Sequence, residues 1–561
     1  MSEVPARYRP KIDPAEFIVE PESGPDERID VGVLFVGGGP AGLAGAIRLA
    51  QLLETDPDVK ATLGETPIAV VEKGKYPGAH LLSGAIVNPV AFRALFPGKP
   101  DSEFPFRGTV PGEAVYFLTS NGSYRIPTPP TMRNHGYFSA SISEIGRWLG
   151  EQAEAAGVMM LNETTASKLL MKDGAVQGVK TGDKGLDRDG SPMSNAEPGV
   201  ELHARATVLS EGVIGHLAMA LSEKLGLKGE NPQSYALGVK EIWDVQKPLD
   251  RVIHTMGWPL RSGKQWREFG GSFIYPLGEK QIAIGLVVGL DYADSTLSVH
   301  DMLQELKLHP LVKPMLEGAR RSAWGAKTIP EGGYYALPKH LAVPGALLTG
   351  DAAGFVNVPA LKGIHYAMQT GMMAAESIFA ALKKGLDPRA PGALEGYDEM
   401  VRKSPVTGDL FKVRNMRQAF GAGFVPGAAL AGVMTVTGGA FPGWKFGIES
   451  DAEHPVTNGG RRYPKADGKL TFDKLSSVYA SGNRTRDTQP NHIRIETDVP
   501  QDVGDAWIAM CPAAVYEWGE AGGKRVLKVN PPNCVQCGAI TAKGGRLTPP
   551  EGGSGPEYSE T

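Results

Sequence analysis

The chain reads as α/β, and α+β overall, on three observations. A glycine-rich turn stands between an apolar run and a helical pattern near the N-terminus. Strand-like and helical segments are then mixed through the middle of the chain. All three cysteines, Cys511, Cys534 and Cys537, fall near the far end, which marks a small separate unit there. The first observation predicts a Rossmann-type dinucleotide-binding domain.

Taken in order, residues 30–53 read strand, turn, helix. The strand is the apolar run 31–36, the turn is Gly37-Gly38-Gly39-Pro40, and the helix carries Ala44, Ile47 and Leu49. In Gly37-x-Gly39-x-x-Gly42 the first glycine permits the tight turn and the second lets backbone approach a pyrophosphate. The third lets helix and strand pack closely, and the helix N-terminus faces the phosphates. A second apolar strand, 68–71, ends at Glu72 and Lys73, where the carboxylate suits a ribose diol. Glu72 lies farther along than the usual ~20 residues, in keeping with a polar insert over 54–66.

Two later turns favour FAD over NAD. Gly350-Asp351, after the short strand 346–349, suits a ribityl chain, and the helix predicted over 365–382 would face the isoalloxazine. Lys383, Lys384 and Gly385 close that helix. Ser210-Glu211-Gly212 follows another strand and resembles a motif that FAD-dependent enzymes place near the pyrophosphate.

Cys534-x-x-Cys537 with a remote Cys511-Pro512 suits iron–sulfur ligation. A zinc knuckle short of one ligand, a redox pair and inert thiols remain open at this point. The net charge of -4, with 58 Lys+Arg against 62 Asp+Glu, gives no basic surplus for nucleic acid. Residues 1–28 contain no apolar run and are not acid-poor. They resemble neither a secretory signal nor a mitochondrial presequence, so a cytosol-facing bacterial protein is expected.

From about residue 30 to the end, the chain resembles the electron-transfer flavoprotein:ubiquinone oxidoreductases. The segments that carry the resemblance are 78–85 (GAHLLSGA), 257–260 (GWPL), 270–273 (GGSF), 286–292 (LVVGLDY), 475–478 (LSSV), 511–517 (CPAAVYE) and 550–556 (PEGGSGP). The resemblance implies FAD, one iron–sulfur cluster and a ubiquinone pocket, with electrons entering from reduced electron-transfer flavoprotein. It places Lys73, His80, Ser83 and Gly84 with the FAD-binding residues and the quinone head group at Gly270 and Gly271. It also implies a mixed β-sheet quinone-binding domain inserted into the FAD domain, and a ferredoxin-like tail. The expected division is an extension over 1–29, the FAD domain over 30–225 and the quinone domain over 226–340. The FAD domain returns with a membrane-contact segment over 341–448, and the iron–sulfur domain occupies 449–561.

One position departs from the family. Its cysteine cluster reads CxxCxxC, and the third cysteine is replaced here by Ile540. A four-iron cluster would lack one ligand, leaving a four-iron, a three-iron or an absent cluster as the alternatives.

Residues 419–444 carry no charge, but seven glycines and two prolines, Pro426 and Pro442, interrupt them. They are not a convincing span; on the residues alone a buried core is the first reading, and the resemblance, whose members are monotopic, implies instead that they dip into one leaflet. Arg414, Arg417 and Lys445 are expected at anionic head groups, and the segment 81–96 is a second candidate contact. The expected place is the cytoplasmic face of a bacterial inner membrane, or the matrix face in a mitochondrion. The rival readings are an NAD(P)H-dependent flavin monooxygenase or lipid reductase of the same fold, and a cluster-deficient redox adaptor.

Overall fold

The computed structural model describes residues 3–561. Strand β1 (Arg28–Val36) is buried from Val31 onward, as an apolar run through the middle of a covered parallel sheet should be. Helix α1 (Pro40–Glu54) follows the turn, with proline in its first turn, where no N–H is needed. Strand β2 (Ile68–Val71) pairs parallel with β1. Helix α2 (Ile142–Ala155) leads to β3 (Met159–Leu161), which adds parallel to β2. Strand β4 (Glu201–Leu209) pairs with β1 on its other side, and helix α3 (His216–Leu225) follows.

The chain then builds a second, seven-stranded mixed sheet. Its strands are β5 (Tyr235–Asp244), β6 (Val252–Gly257), β7 (Gly270–Leu277), β8 (Gln281–Gly289) and β9 (Arg320–Pro330). The order is β9-β5-β8-β7-β6, continued by Glu113–Leu118 and Ser123–Ile126 from earlier in the chain. Every pairing is antiparallel except that of β6 with Glu113–Leu118. The insertion is therefore not contiguous in sequence.

Strand β10 (Ala346–Leu348) returns to the first sheet beside β4. Helix α4 (Ile364–Lys383) packs on α1 at close range, since a Cβ on Gly371 would lie 2.0 Å from the Ala41 carbonyl oxygen. Lys383 pairs with Asp56 at 3.0 Å, and Gly385 turns the chain away at φ +70°.

Helices α5 (Met416–Ala419) and α6 (Phe424–Val436) form the apolar segment, and no helix among the described residues is long and apolar enough to cross a membrane. Val425, Val436 and Trp444 are 75, 89 and 63% exposed, whereas Met434 is buried. Two expectations are corrected here. Arg414 and Arg417 are buried rather than free for head groups. Arg414 donates to the carbonyls of Phe411, Gly439 and Pro442, and Arg417 pairs with Asp291 and Glu331 at 2.8 Å each. A guanidinium with five donors satisfies a folded loop better than a point charge would. In the segment 81–96, Ile86, Val87, Ala91, Phe92 and Leu95 are buried in the cores, which leaves Val90 as its exposed large apolar side chain.

The last hundred residues form short elements, among them α7 (Ala539–Ala542) and β11 (Arg546–Leu547), which pairs with Ile493–Arg494. The terminus then threads back. Tyr558 N–H donates to Ala79 O at 2.9 Å, its hydroxyl reaches Ala326 O at 3.2 Å, and Ser143 N–H donates to Thr561 O at 3.3 Å. The tail thus ties the two sheets together.

Candidate functional site

A cavity of about 350 Å³ opens between the two sheets. Its walls include Gly37, Gly39, Glu72, Lys73, His80, Ser83 and Gly84 from the N-terminal region. Glu211, Gly212 and Asp351 come from the two later turns. Gly42 and Gly350 shape the backbone behind this wall. A Cβ on Gly42 would lie 2.1 Å from Gly37 O, and Gly350 sits at φ +57°. Gly39 instead has free space, its nearest neighbour to a Cβ being Leu81 at 3.8 Å. The turn therefore presents bare backbone and the α1 N-terminus to the cavity, the arrangement that receives a pyrophosphate.

Glu72 accepts from Gly38 N–H at 2.8 Å and from Gly74 N–H at 2.6 Å, so it braces the turn while keeping lone pairs for a diol. Glu211 accepts from Leu217 and Ala218 N–H at 3.2 and 2.8 Å and faces His216 at 3.3 Å. Burial pushes the Glu211 carboxyl up, but His216 and these N–H groups win and hold it below the usual range. Burial lowers Lys73, opposed by Glu72 and Glu211. Burial, reinforced by Lys73 and Lys327, holds His80 neutral, and its Nδ1 is buried without a partner. Burial raises Asp351 to about 6 against the pull of Lys327.

Several further walls come from outside these motifs. Lys240, in the buried strand β5, donates to Ser83 O at 2.8 Å, and burial depresses it to about 7. A lysine beside Glu241 inside a buried central strand was the available signal. Tyr275 lines the cavity and shares a 2.6 Å hydrogen bond with His254. Lys327, Thr328 and the C-terminal Thr548 complete the wall, and no local pattern marks them. The glycine cradle, helix N-terminus, unpartnered His80 Nδ1 and polar rim fit FAD. Gly270 and Gly271 lie outside this wall, in β7. A Cβ on either would fall 2.0 and 2.4 Å from Val287 O and Thr255 O, so neighbouring strands require both glycines.

Beyond the cavity sit the three thiols, all free, with Cys511 and Cys534 buried and Cys537 half-buried. Val515 N–H donates to Cys511 Sγ and Gln536 N–H to Cys534 Sγ, each at 3.4 Å. Burial, then Cys511, pushes Cys537 up to about 12, and burial, then Cys537, raises Cys534 further. The thiols thus lie within electrostatic reach of one another. Among the described residues no three His, Cys, Asp or Glu side chains, these thiols included, converge on one point as ligands of a single metal ion do; a cluster spreads its ligands over several irons. Thr328, on the cavity wall, donates its N–H and hydroxyl to Cys537 O at 2.9 and 2.8 Å.

Two family models match the chain. Residues 235–329 match the model described as "ETF-QO, ubiquinone-binding", and residues 468–559 match "Electron transfer flavoprotein-ubiquinone oxidoreductase, 4Fe-4S". The mitochondrial electron transfer flavoprotein-ubiquinone oxidoreductase of Dictyostelium discoideum is 39% identical over 97% of this chain and 93% of its own. The Homo sapiens protein of that name is 38% identical over 94% of this chain and 88% of its own. The chain belongs to the electron transfer flavoprotein-ubiquinone oxidoreductase family. Among solved structures, a geranylgeranyl bacteriochlorophyll reductase-like protein from Thermoplasma acidophilum aligns at a TM-score of 0.55. It has 17% identity and covers 72% of this chain and 92% of its own, a likeness of fold.

Against the four-cysteine pattern of this family, three corners of the cluster site have thiols and the fourth does not. Ile540 is 5% exposed and packs in the same apolar cluster as Cys511 and Cys534. The residues present fit an iron–sulfur centre with three protein ligands, not four.

Proposed function

We propose that this chain is an FAD- and iron–sulfur-containing oxidoreductase that takes electrons from reduced electron-transfer flavoprotein and reduces ubiquinone to ubiquinol. The observation that carries the reading is the shared wall at Thr328, which lines the flavin cavity and holds the backbone of the cysteine loop. FAD, when bound, supplies the two-electron redox chemistry.

The chain's own residues divide the remaining work. The turn at Gly37 and Gly39 and the α1 N-terminus bind the pyrophosphate, Glu72 the ribose and Asp351 the ribityl chain. The Tyr275 hydroxyl, held by His254, stands where a proton can be kept at the cavity wall. Quinone reduction consumes protons, and Tyr275 and His80 both line this cavity.

The quinone end rests on a different set of contacts. Gly270 and Gly271 follow Phe269, whose ring packs on Phe420 at 4.8 Å at the foot of α6. Exposed Val425, Val436, Phe441 and Trp444 continue that surface outward. An apolar quinone dissolved in a bilayer would reach the glycine strand along this path, with α6 dipping into one leaflet. The proposed location is the cytoplasmic face of a bacterial inner membrane.

The test is anaerobic mixing of the FAD-loaded protein with reduced electron-transfer flavoprotein and a short-chain ubiquinone. Quinol should form in step with flavoprotein oxidation, and NADPH alone should leave the flavin oxidised. Rapid bleaching by NADPH without quinol formation would sink the reading in favour of a monooxygenase or reductase.

A further inference from the structure

The fourth corner of the cysteine site is filled by hydrocarbon. Every iron of a cluster needs a terminal ligand: a thiolate, an imidazole, an oxygen donor or water. Ile540 offers none. Its Cγ1 packs where a Cβ on Gly545 would lie only 2.6 Å away, so the backbone behind it is closed. The next residue, Thr541, is buried, and its hydroxyl accepts from Leu547 N–H at 2.9 Å, which turns it toward β11. Ala539, Ala542 and Val535 are also buried around this corner. A water held on an iron there would need about two to four polar partners, and these side chains supply none.

The thiols themselves are not inert packing. Backbone N–H groups already point at two of the sulfurs, Val515 N–H at Cys511 and Gln536 N–H at Cys534, as they do at thiolates that ligate metal.

We propose that Cys511, Cys534 and Cys537 hold a three-iron cluster, [3Fe–4S], rather than the four-iron form. Each iron then has one cysteine, and the position that would lack a ligand is not occupied by metal. This inference rests on the proposed reading of the thiols as an iron–sulfur centre, and the experiment separates the two.

The protein is purified anaerobically from iron-replete cells, and iron and acid-labile sulfide are measured per FAD alongside low-temperature EPR. The expected result is about three irons per FAD with a signal in the oxidised state. Incubation with ferrous iron and reductant should leave the count unchanged. Ile540→Cys should raise it to about four and move the signal to the dithionite-reduced state. About four irons in the unaltered chain, as isolated or after ferrous iron, would overturn the three-iron assignment and keep the cluster. Absence of iron in a protein that retains FAD would overturn both. An Ile540→Cys protein with full FAD and still about three irons would show that residue 540 is not the missing corner.

Discussion

Thr328 donates two hydrogen bonds to one acceptor, the carbonyl oxygen of Cys537: its N–H at 2.9 Å and its hydroxyl at 2.8 Å. The same residue lines the flavin cavity. One residue therefore separates the space for the flavin from the backbone of Cys537. Thr328→Val keeps the N–H bond and the shape but removes the hydroxyl, at a cost of about 1 kcal/mol. FAD content should hold while the thermal midpoint falls and the redox titration of the cluster shifts. An unchanged midpoint and potential would remove any role for the hydroxyl.

Arg417 should anchor the apolar segment. It bridges Asp291 and Glu331 at 2.8 Å each and lies over the Phe269 ring at 4.3 Å. Arg417→Met leaves the buried Glu331 unpaired and Asp291 with Arg267 alone, at 3.7 Å, which should destabilise by about 3–5 kcal/mol. Proteolysis should then cut within 411–444 at protease levels that spare the parent protein. Equal resistance of the two proteins would contradict the anchor.

Gly42→Ala tests the phosphate turn. Its Cβ would fall 2.1 Å from Gly37 O, so α1 must move away from β1. Bound FAD after purification should drop by roughly tenfold or more. Full flavin occupancy would mean that the turn tolerates the shift.

Lys240 predicts a pH signature. Burial depresses it from 10.5 to about 7. Between those values the unfolded chain binds the extra proton, so stability rises with pH across this window and is lowest below it. In protein stripped of FAD, Lys240→Met should therefore raise the thermal midpoint most near pH 7 and below. The gain should shrink toward pH 10. A difference independent of pH would place the titration elsewhere.

The exposed apolar face predicts vesicle binding. Val425→Asp with Val436→Asp places carboxylates at two sites that are 75 and 89% exposed, so the fold should tolerate them. Co-sedimentation with phospholipid vesicles should fall while FAD content stays level. Undiminished sedimentation would locate the membrane contact on another face.

The N-terminal half of the flavin site was legible because its chemistry is local. A strand, a tight turn and a helix start lie within residues 28–54, so glycine spacing alone marks them. Glu72 and Asp351 were readable for the same reason, each standing at the end of a short apolar strand. The arginines were misread because charge beside an apolar run looks the same whether it faces lipid or folds inward. For Arg417 the partners Asp291 and Glu331, more than eighty residues earlier, decide between the two; for Arg414 the carbonyls of Phe411, Gly439 and Pro442 do.

Sequence by itself determined the fold class, the phosphate turn, the family and the missing fourth cysteine, since each is a matter of residue type at short spacing. Tertiary structure alone decided that Lys240, Tyr275 and Thr328 face the cavity and that the C-terminal tail ties the two sheets together. It also decided that Ile540 lies in a dry corner. These depend on contacts between separate segments, from Lys240 opposite Gly325 to Tyr558 at Ala79, where burial and hydrogen-bond partners come from pairing that no local pattern encodes.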